Sequence, residues 1–268
     1  MFPLKEYPFE RRPMICAHRG DTSHGAMENT LDAIREALSS GAEMIEIDVQ
    51  MTTDSVIVCH HDEAIGNDEE KITFWKERYA SLVDKLGDKA PAKFEDVLNL
   101  VKDKVYLNIE MKEYSARAVK TFTNPLVELV RQNGMHDHVL YSSFRLDYLK
   151  EMPWDATTTV IHSSTDVVNY FNARSQSPVT LPKKVEEMLP SELMIASRAT
   201  AYACRLDELS EERQKNIKSR NIHLSVYTIT HEAEFQRAMD LGARAVVTDI
   251  PHELVELRNK LYPPVSTI

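Results

Sequence analysis

The stretch from Leu31 to Val49, LDAIREALSSGAEMIEIDV, reads as a helical segment (Leu31 to Ser40), a glycine (Gly41) and a short apolar strand (Met44 to Val49). Glycine just past a helix tolerates the left-handed backbone that ends it, so Gly41 marks a helix-to-strand loop. The unit recurs. Asn124 to Asn133 leads through Gly134 to Val139 to Tyr141, and His231 to Leu241 leads through Gly242 to Ala245 to Val247. The chain has only 7 glycines, and three of them fall in this one role.

Outward from these units, further strands are expected at Met14 to His18, Val56 to His61, Val105 to Met111, Thr157 to Ile161 and His223 to Thr228. Another is expected around Leu193 to Ala196. Helices are expected at Phe94 to Lys102, Asp207 to Arg220 and His252 to Leu261. Strands alternating with helices give a parallel sheet, and about eight of them in 268 residues favour closure. The expected fold is a TIM-type (β/α)8 barrel, one domain over residues 1–268. The run Val56 to His61 returns too soon after Asp48 for a helical crossover, so it is either a hairpin or an extended return.

Composition narrows the partners. A net charge of −10 argues against a nucleic-acid surface, which needs clustered cations to neutralise phosphates. No apolar run approaches the ~20 residues of a membrane helix. The first thirteen residues carry Lys5, Glu6, Glu10, Arg11 and Arg12, unlike a secretory leader, so the cytoplasm is the expected location. Cys16, Cys59 and Cys204 are odd in number, lack C-x-x-C spacing and read as buried free thiols.

Polar residues gather where strands end, the end at which barrels keep their chemistry. The first strand runs into His18-Arg19-Gly20, and Glu28-Asn29-Thr30 opens the next helix. In Glu46-Ile47-Asp48, alternation puts both acids on one face and Ile45, Ile47 and Val49 on the other. Two acids turned into a barrel mouth repel each other unless a cation lies between them, which a divalent metal satisfies. Asn108, Glu110 and Lys112 share a face in the same way, so Glu110 is a third oxygen ligand candidate. The run Val56 to Asp62 brings His60 and His61 out of a strand beside Asp62, an acid able to orient a ring. The other histidines, His162 among them, read as solvated or capping residues, and Trp154 as a packing residue.

Together these blocks resemble the glycerophosphodiester phosphodiesterase family, whose strand ends run His-Arg-Gly, Glu-Asn-Thr, Glu-x-Asp-Val and His-Asp. The stretch from Glu46 to Asp62 fits that pattern without a gap, and its register selects His61 over His60. Ala90 to Leu98, Leu107 to Lys112, Ser143-Phe144, Tyr227-Thr228 and Thr248 to Pro251 extend the likeness over nearly the whole chain. The resemblance implies a β/α barrel and one divalent cation, Mg²⁺ or Ca²⁺, on Glu46, Asp48 and Glu110. It implies His18 and His61 as acid and base, with Arg19 and Lys112 on the phosphate. The substrate would be a small-molecule glycerophosphodiester, cleaved to an alcohol and glycerol 3-phosphate through a cyclic phosphate. The alternatives are a related barrel acting on phospholipids or lysophospholipids, and a non-catalytic ligand-binding barrel. Met27 stands in place of a proline, Ser55 in place of a turn glycine, and residues 63–89 form a shorter insertion than is usual.

Overall fold

The computed structural model describes residues 1, 3–7, 9, 12–66, 71–112, 118–163 and 184–263. β1 (Met14–Ala17) is followed by α1 (Leu31–Ser40), which starts where Thr30 Oγ1 accepts from Ala33 N. It ends at Gly41, whose φ of 80° is left-handed, and the chain enters β2 (Met44–Met51). Gly134 (φ 69°) and Gly242 (φ 80°) adopt the same conformation, as the recurring unit requires.

β3 (Ile57–Cys59) turns back antiparallel on the last residues of β2, so the short return is a hairpin and not a barrel strand. The 63–89 segment contributes β4 (Ala64–Ile65), β5 (Ile72–Thr73) and α2 (Tyr79–Leu86). The alternation then resumes with α3 (Phe94–Val101), β6 (Tyr106–Met111), α4 (Val119–Gln132), β7 (Val139–Ser143) and α5 (Leu146–Lys150). β8 (Thr157–His162), α6 (Pro190–Ser197), β9 (Ala201–Arg205) and α7 (Glu211–Ser219) follow. β10 (Leu224–Ile229), α8 (Glu232–Asp240), β11 (Ala245–Thr248) and α9 (Pro251–Leu261) complete the described chain.

Among the described residues, β1, β2, β6, β7, β8, β9, β10 and β11 pair in parallel, and β11 returns to β1. The expected eight-stranded barrel is closed. Alternation along each strand separates two apolar layers. Ile15, Ala17, Ile45, Ile47 and Val49 face the helices in the main core, while Met14, Cys16 and Met44 belong to a smaller cluster inside the barrel. Leu4, from the N-terminal arm, joins that inner cluster at the end where the strands begin. Arg258, fully buried on α9, ties the last helix to the first strands, through Pro13 O at 2.9 Å and Glu43 at 2.6 Å.

Several sequence expectations are corrected. Leu193 to Ala196 lies in α6, because Pro190 presets the first helical turn and the Glu192 carboxylate accepts from Leu189 N at 2.8 Å. The sixth barrel strand is Ala201–Arg205 instead. α4 begins before Pro125, and α7 begins only at Glu211, where Ser210 caps it. His162 is not solvated but fully buried beside Tyr202 and Arg213; burial and the Arg213 charge push it down to about 4. Trp154 is 96% exposed.

Gly20 shows what the first loop demands. It has φ +91°, and a Cβ there would lie 2.7 Å from the Ala33 carbonyl carbon in α1. Gly25 has φ +92° but open space around the same position. Gly20→Ala should therefore cost about 2–4 kcal/mol, from the left-handed backbone plus overpacking, and Gly25→Ala only about 1–2. Urea unfolding of the two variants measures the difference, and equal losses would contradict it.

Candidate active site

The two acids of β2 turn inward and are shut off from water: Glu46 is 2% exposed and Asp48 0%. β6 pairs beside them in register, Asp48 opposite Glu110, so the third acid arrives on the same face. One carboxylate oxygen from each lies within 4.8 Å of the others. Like charges this close in a buried site are strongly unfavourable without a counter-charge.

Fixed cations meet part of that demand. Lys112 Nζ lies 2.6 Å from Glu110 Oε1 and 3.8 Å from Asp48 Oδ1. Arg19 Nε lies 3.3 Å from Asp48 Oδ2, its Nη1 donates to both oxygens of Glu28, and its backbone N donates to Glu46 Oε2 at 2.9 Å. Asn29 brackets Asp48: its Nδ2 donates to Oδ2 at 2.8 Å and its Oδ1 accepts from Asp48 N at 2.9 Å. Against Glu46, Asp48 and Glu110 stand two positive side chains, which leaves one negative charge in excess.

The excess falls on Glu46. Burial and the charges of Asp48 and Glu110 push its carboxyl well above the ordinary 4.5. For Asp48 burial acts upward too, but Lys112, Arg19, His61 and the Asn29 amide hold it below the ordinary 3.8. Glu46 Oε1 and Asp48 Oδ1 are buried without a hydrogen-bond donor. Three hard oxygen donors, two of them with an unused buried oxygen, fit a divalent cation such as Mg²⁺ or Ca²⁺.

Two histidines face the same cavity. His18, whose backbone N donates to Thr248 O of β11, donates through Nδ1 to Asp249 Oδ1 at 2.7 Å. That hydrogen bond, ahead of the opposing effect of burial, holds the Asp249 carboxyl below its usual range. His61 donates through Nδ1 to Asp62 Oδ1 at 2.8 Å. A carboxylate at Nδ1 fixes the tautomer and puts the lone pair on Nε2. His60 turns the other way, its ring 4.7 Å from that of Phe74 in the insertion.

All seven residues singled out in the sequence, His18, Arg19, Glu46, Asp48, His61, Glu110 and Lys112, line or abut this one mouth. Asn29, Glu28 and Asp249 complete it. They were visible in the Glu28-Asn29-Thr30 and Thr248-Asp249 blocks, but no local pattern announces that they touch Asp48, Arg19 and His18.

A family model described as the glycerophosphoryl diester phosphodiesterase family matches residues 18–253, most of the chain and every residue of this mouth. The chain belongs to that family of phosphoric diester hydrolases. It is 25% identical to a glycerophosphodiester phosphodiesterase from Caldanaerobacter subterraneus subsp. tengcongensis, over 93% of this chain and 99% of the relative. It is 21% identical to a lysophospholipase D from Mus musculus, over 93% and 84%. Among solved structures, an Oleispira antarctica phosphodiesterase in complex with sn-glycerol-3-phosphate superposes with a TM-score of 0.72 at 20% identity, covering 92% of this chain and 97% of that one. A glycerophosphodiester phosphodiesterase from Parabacteroides distasonis gives 0.74 at 20% identity, with 92% and 97% covered.

The charge imbalance in this phosphodiesterase fixes the sign of a pH effect. Because the folded state holds the Glu46 proton more tightly than the unfolded chain, metal-free stability falls as pH rises above 4.5. Asp48 acts in a separate window: it contributes stability above 3.8 that is lost as pH falls through its lower folded value. In a chelator, the urea midpoint of the wild type should decline toward neutral pH, and Glu46→Gln should flatten that decline. Added Mg²⁺ or Ca²⁺ should raise the wild-type midpoint and leave that of Glu46→Gln nearly unchanged. A wild-type midpoint indifferent to both pH and cation would contradict the reading.

Proposed function

We propose that this chain hydrolyses glycerophosphodiesters to an alcohol and glycerol 3-phosphate, as a single barrel domain with a short insertion at 63–89. The observation that carries the reading is the convergence of Glu46, Asp48 and Glu110 beside two histidines, each bonded at Nδ1 to its own carboxylate. Family membership supports the substrate class, and so does the sn-glycerol-3-phosphate held by the Oleispira antarctica relative. Three buried free thiols, Cys16, Cys59 and Cys204, support a cytoplasmic location. Among the described residues, no helix is long and apolar enough to cross a membrane.

Glu46, Asp48 and Glu110 would hold Mg²⁺ or Ca²⁺, which when bound supplies fixed positive charge opposite the phosphoryl oxygens. Arg19 and Lys112 add theirs from either side of Asp48 and oppose the charge that gathers on those oxygens in the transition state. One histidine accepts the proton of the attacking hydroxyl at Nε2, and the other delivers a proton to the departing alkoxide. Asp249 and Asp62 hold Nδ1–H in both rings, which leaves Nε2 of the base free to accept and stabilises the imidazolium that donates from Nε2 of the acid. The attacking group is the substrate's own glycerol hydroxyl, already close to phosphorus, and water then opens the cyclic phosphate with the histidines in exchanged roles. A ligand-binding barrel without catalysis would need neither oriented histidine.

The test is release of glycerol 3-phosphate from glycerophosphocholine and glycerophosphoethanolamine, with and without chelator; turnover in thoroughly demetallated protein would refute the metal role. His18→Ala and His61→Ala should each lower kcat by about 10² to 10⁴. His60→Ala should do far less, since its ring faces Phe74, and a larger effect at His60 than at His61 would overturn the assignment. A matched diester lacking the free glycerol hydroxyl should bind yet be nearly inert, and its rapid cleavage would rule out the cyclic route.

A further inference from the structure

The hairpin that carries His61 leaves its ladder just before the histidine. The β2–β3 pairing ends at Val49 opposite Cys59, and one further backbone bond follows, from His60 N to Asp48 O at 3.1 Å. The acid that steadies the His61 ring is itself no anchor, since the Asp62 side chain is 74% exposed. A carboxylate on a loose bend would carry the ring with it. The main chain from His60 to Asp62 therefore has to be held from elsewhere.

Gln50 holds it. It stands two residues past Asp48 on β2, on the same face as Glu46 and Asp48 by alternation, and is 1% exposed. Its Nε2 donates to His60 O at 2.7 Å and to Asp62 O at 2.5 Å, with a longer contact to His61 O at 3.4 Å. Three carbonyl oxygens turned toward one point accept only a donor, and that fixes which way the amide faces. Gln50 Oε1 is left buried with no hydrogen-bond partner among the described residues, an unfavourable state that the donor side has to outweigh. The His60 ring adds a bond from Nδ1 to Asp62 O at 3.0 Å, so the Asp62 backbone is held from two sides.

We propose that Gln50 is a positioning residue for His61, resting on the phosphodiesterase reading above. Its amide fixes the bend so that the Asp62 carboxylate stays on His61 Nδ1 and Nε2 keeps its aim into the mouth. One strand then carries the metal ligands Glu46 and Asp48 and also sets where His61 stands relative to them. That coupling matters because a displacement of about 1 Å can cost about 10² in rate. Hold on the phosphate rests on Arg19, Lys112 and the cation rather than on this bend, so the role is felt in kcat and not in KM.

The experiment uses Gln50→Met, which keeps the side-chain length and removes both donors, and Gln50→Asn, which keeps the amide but draws it back by one carbon. Urea unfolding reports that each is folded, and the Asn variant, with its polar group retained, carries the test if the Met variant fails to fold. Both should lower kcat for glycerophosphocholine about 10- to 100-fold, with KM within about twofold of wild type. In 15N-labelled protein the His61 ring shifts, which report the nitrogen that carries the proton, should move from a single Nδ1–H tautomer toward a mixture, while those of His18 stay. Added to His61→Ala, either substitution should cause no further loss, and the rise in urea midpoint on adding Mg²⁺ or Ca²⁺ should be kept. The same fold-loss in the His61→Ala enzyme as in wild type, unchanged His61 ring shifts, or loss of the cation's effect on the midpoint overturns the inference. Wild type inert toward glycerophosphodiesters overturns the phosphodiesterase reading instead, and the ring shifts still decide whether Gln50 orients His61.

Discussion

Three carboxylates within 4.8 Å of one another, two of them shut off from water, are the constraint around which the mouth of this barrel is arranged. Burial strengthens their mutual repulsion and removes the solvent that would otherwise screen it. Each neighbouring feature answers that repulsion. Lys112 and Arg19 bring charge, and the Asn29 amide brings a hydrogen bond to the ionised form of Asp48. The remaining imbalance is directional, because Asp48 receives most of this help while at Glu46 burial and two like charges outweigh Arg19 and Lys112. A site with one carboxyl unwilling to ionise gains more from a dication than one already neutral, so the same imbalance that weakens the bare fold favours loading the metal.

The barrel makes such a cluster possible because its strands alternate. β2 presents Ile45, Ile47 and Val49 to the helices and Met44, Glu46 and Asp48 to the axis, so one strand serves both the main core and the chemistry. The parallel register with β6 then sets Asp48 opposite Glu110 without any loop having to reach. Ligands carried on hydrogen-bonded strands are held more rigidly than ligands on loops. The histidines differ: His18 lies just past the end of β1 and His61 just past the hairpin strand β3, and each is steadied by an acid rather than by the sheet.

The parts legible in the sequence were those governed by short-range periodicity. Alternation in Met44 to Val49 and the glycines after three helices suffice for the barrel and for the shared face of Glu46 and Asp48. The sixth barrel strand, Ala201–Arg205, is hard to read because its inward residues, Ala201 and Ala203, are small and give little apolar signal, whereas Leu193-Met194-Ile195-Ala196 gives a strong one. That apolar run is helical because of Pro190 and Glu192, a capping effect that hydrophobicity does not report. His162 was misread because its partners, Tyr202 and Arg213, lie 40 and 51 residues away.

Two residues of the first βα loop hold strained backbone beside the chemistry. Arg19 and Asn29 hold φ of 57° and 59°, a left-handed conformation that disfavours a side chain, and Gly20 between them holds 91°. Both strained residues gain contacts that a relaxed loop would lose: Arg19 reaches Glu28, Asp48 and Glu46 at once, and Asn29 holds both the backbone and the carboxylate of Asp48. Left-handed geometry at a residue costs about 1–2 kcal/mol. A hydrogen bond to a buried charge is worth about 1.5–3 kcal/mol. Ionised Asp48 adds to that exchange, while the bonds to Glu28, to Glu46 and from the Asp48 backbone N–H hold the loop whatever its charge. The first βα loop is in this sense part of the cluster's electrostatics, since the same charge that must be neutralised in the mouth helps to keep the loop folded against it.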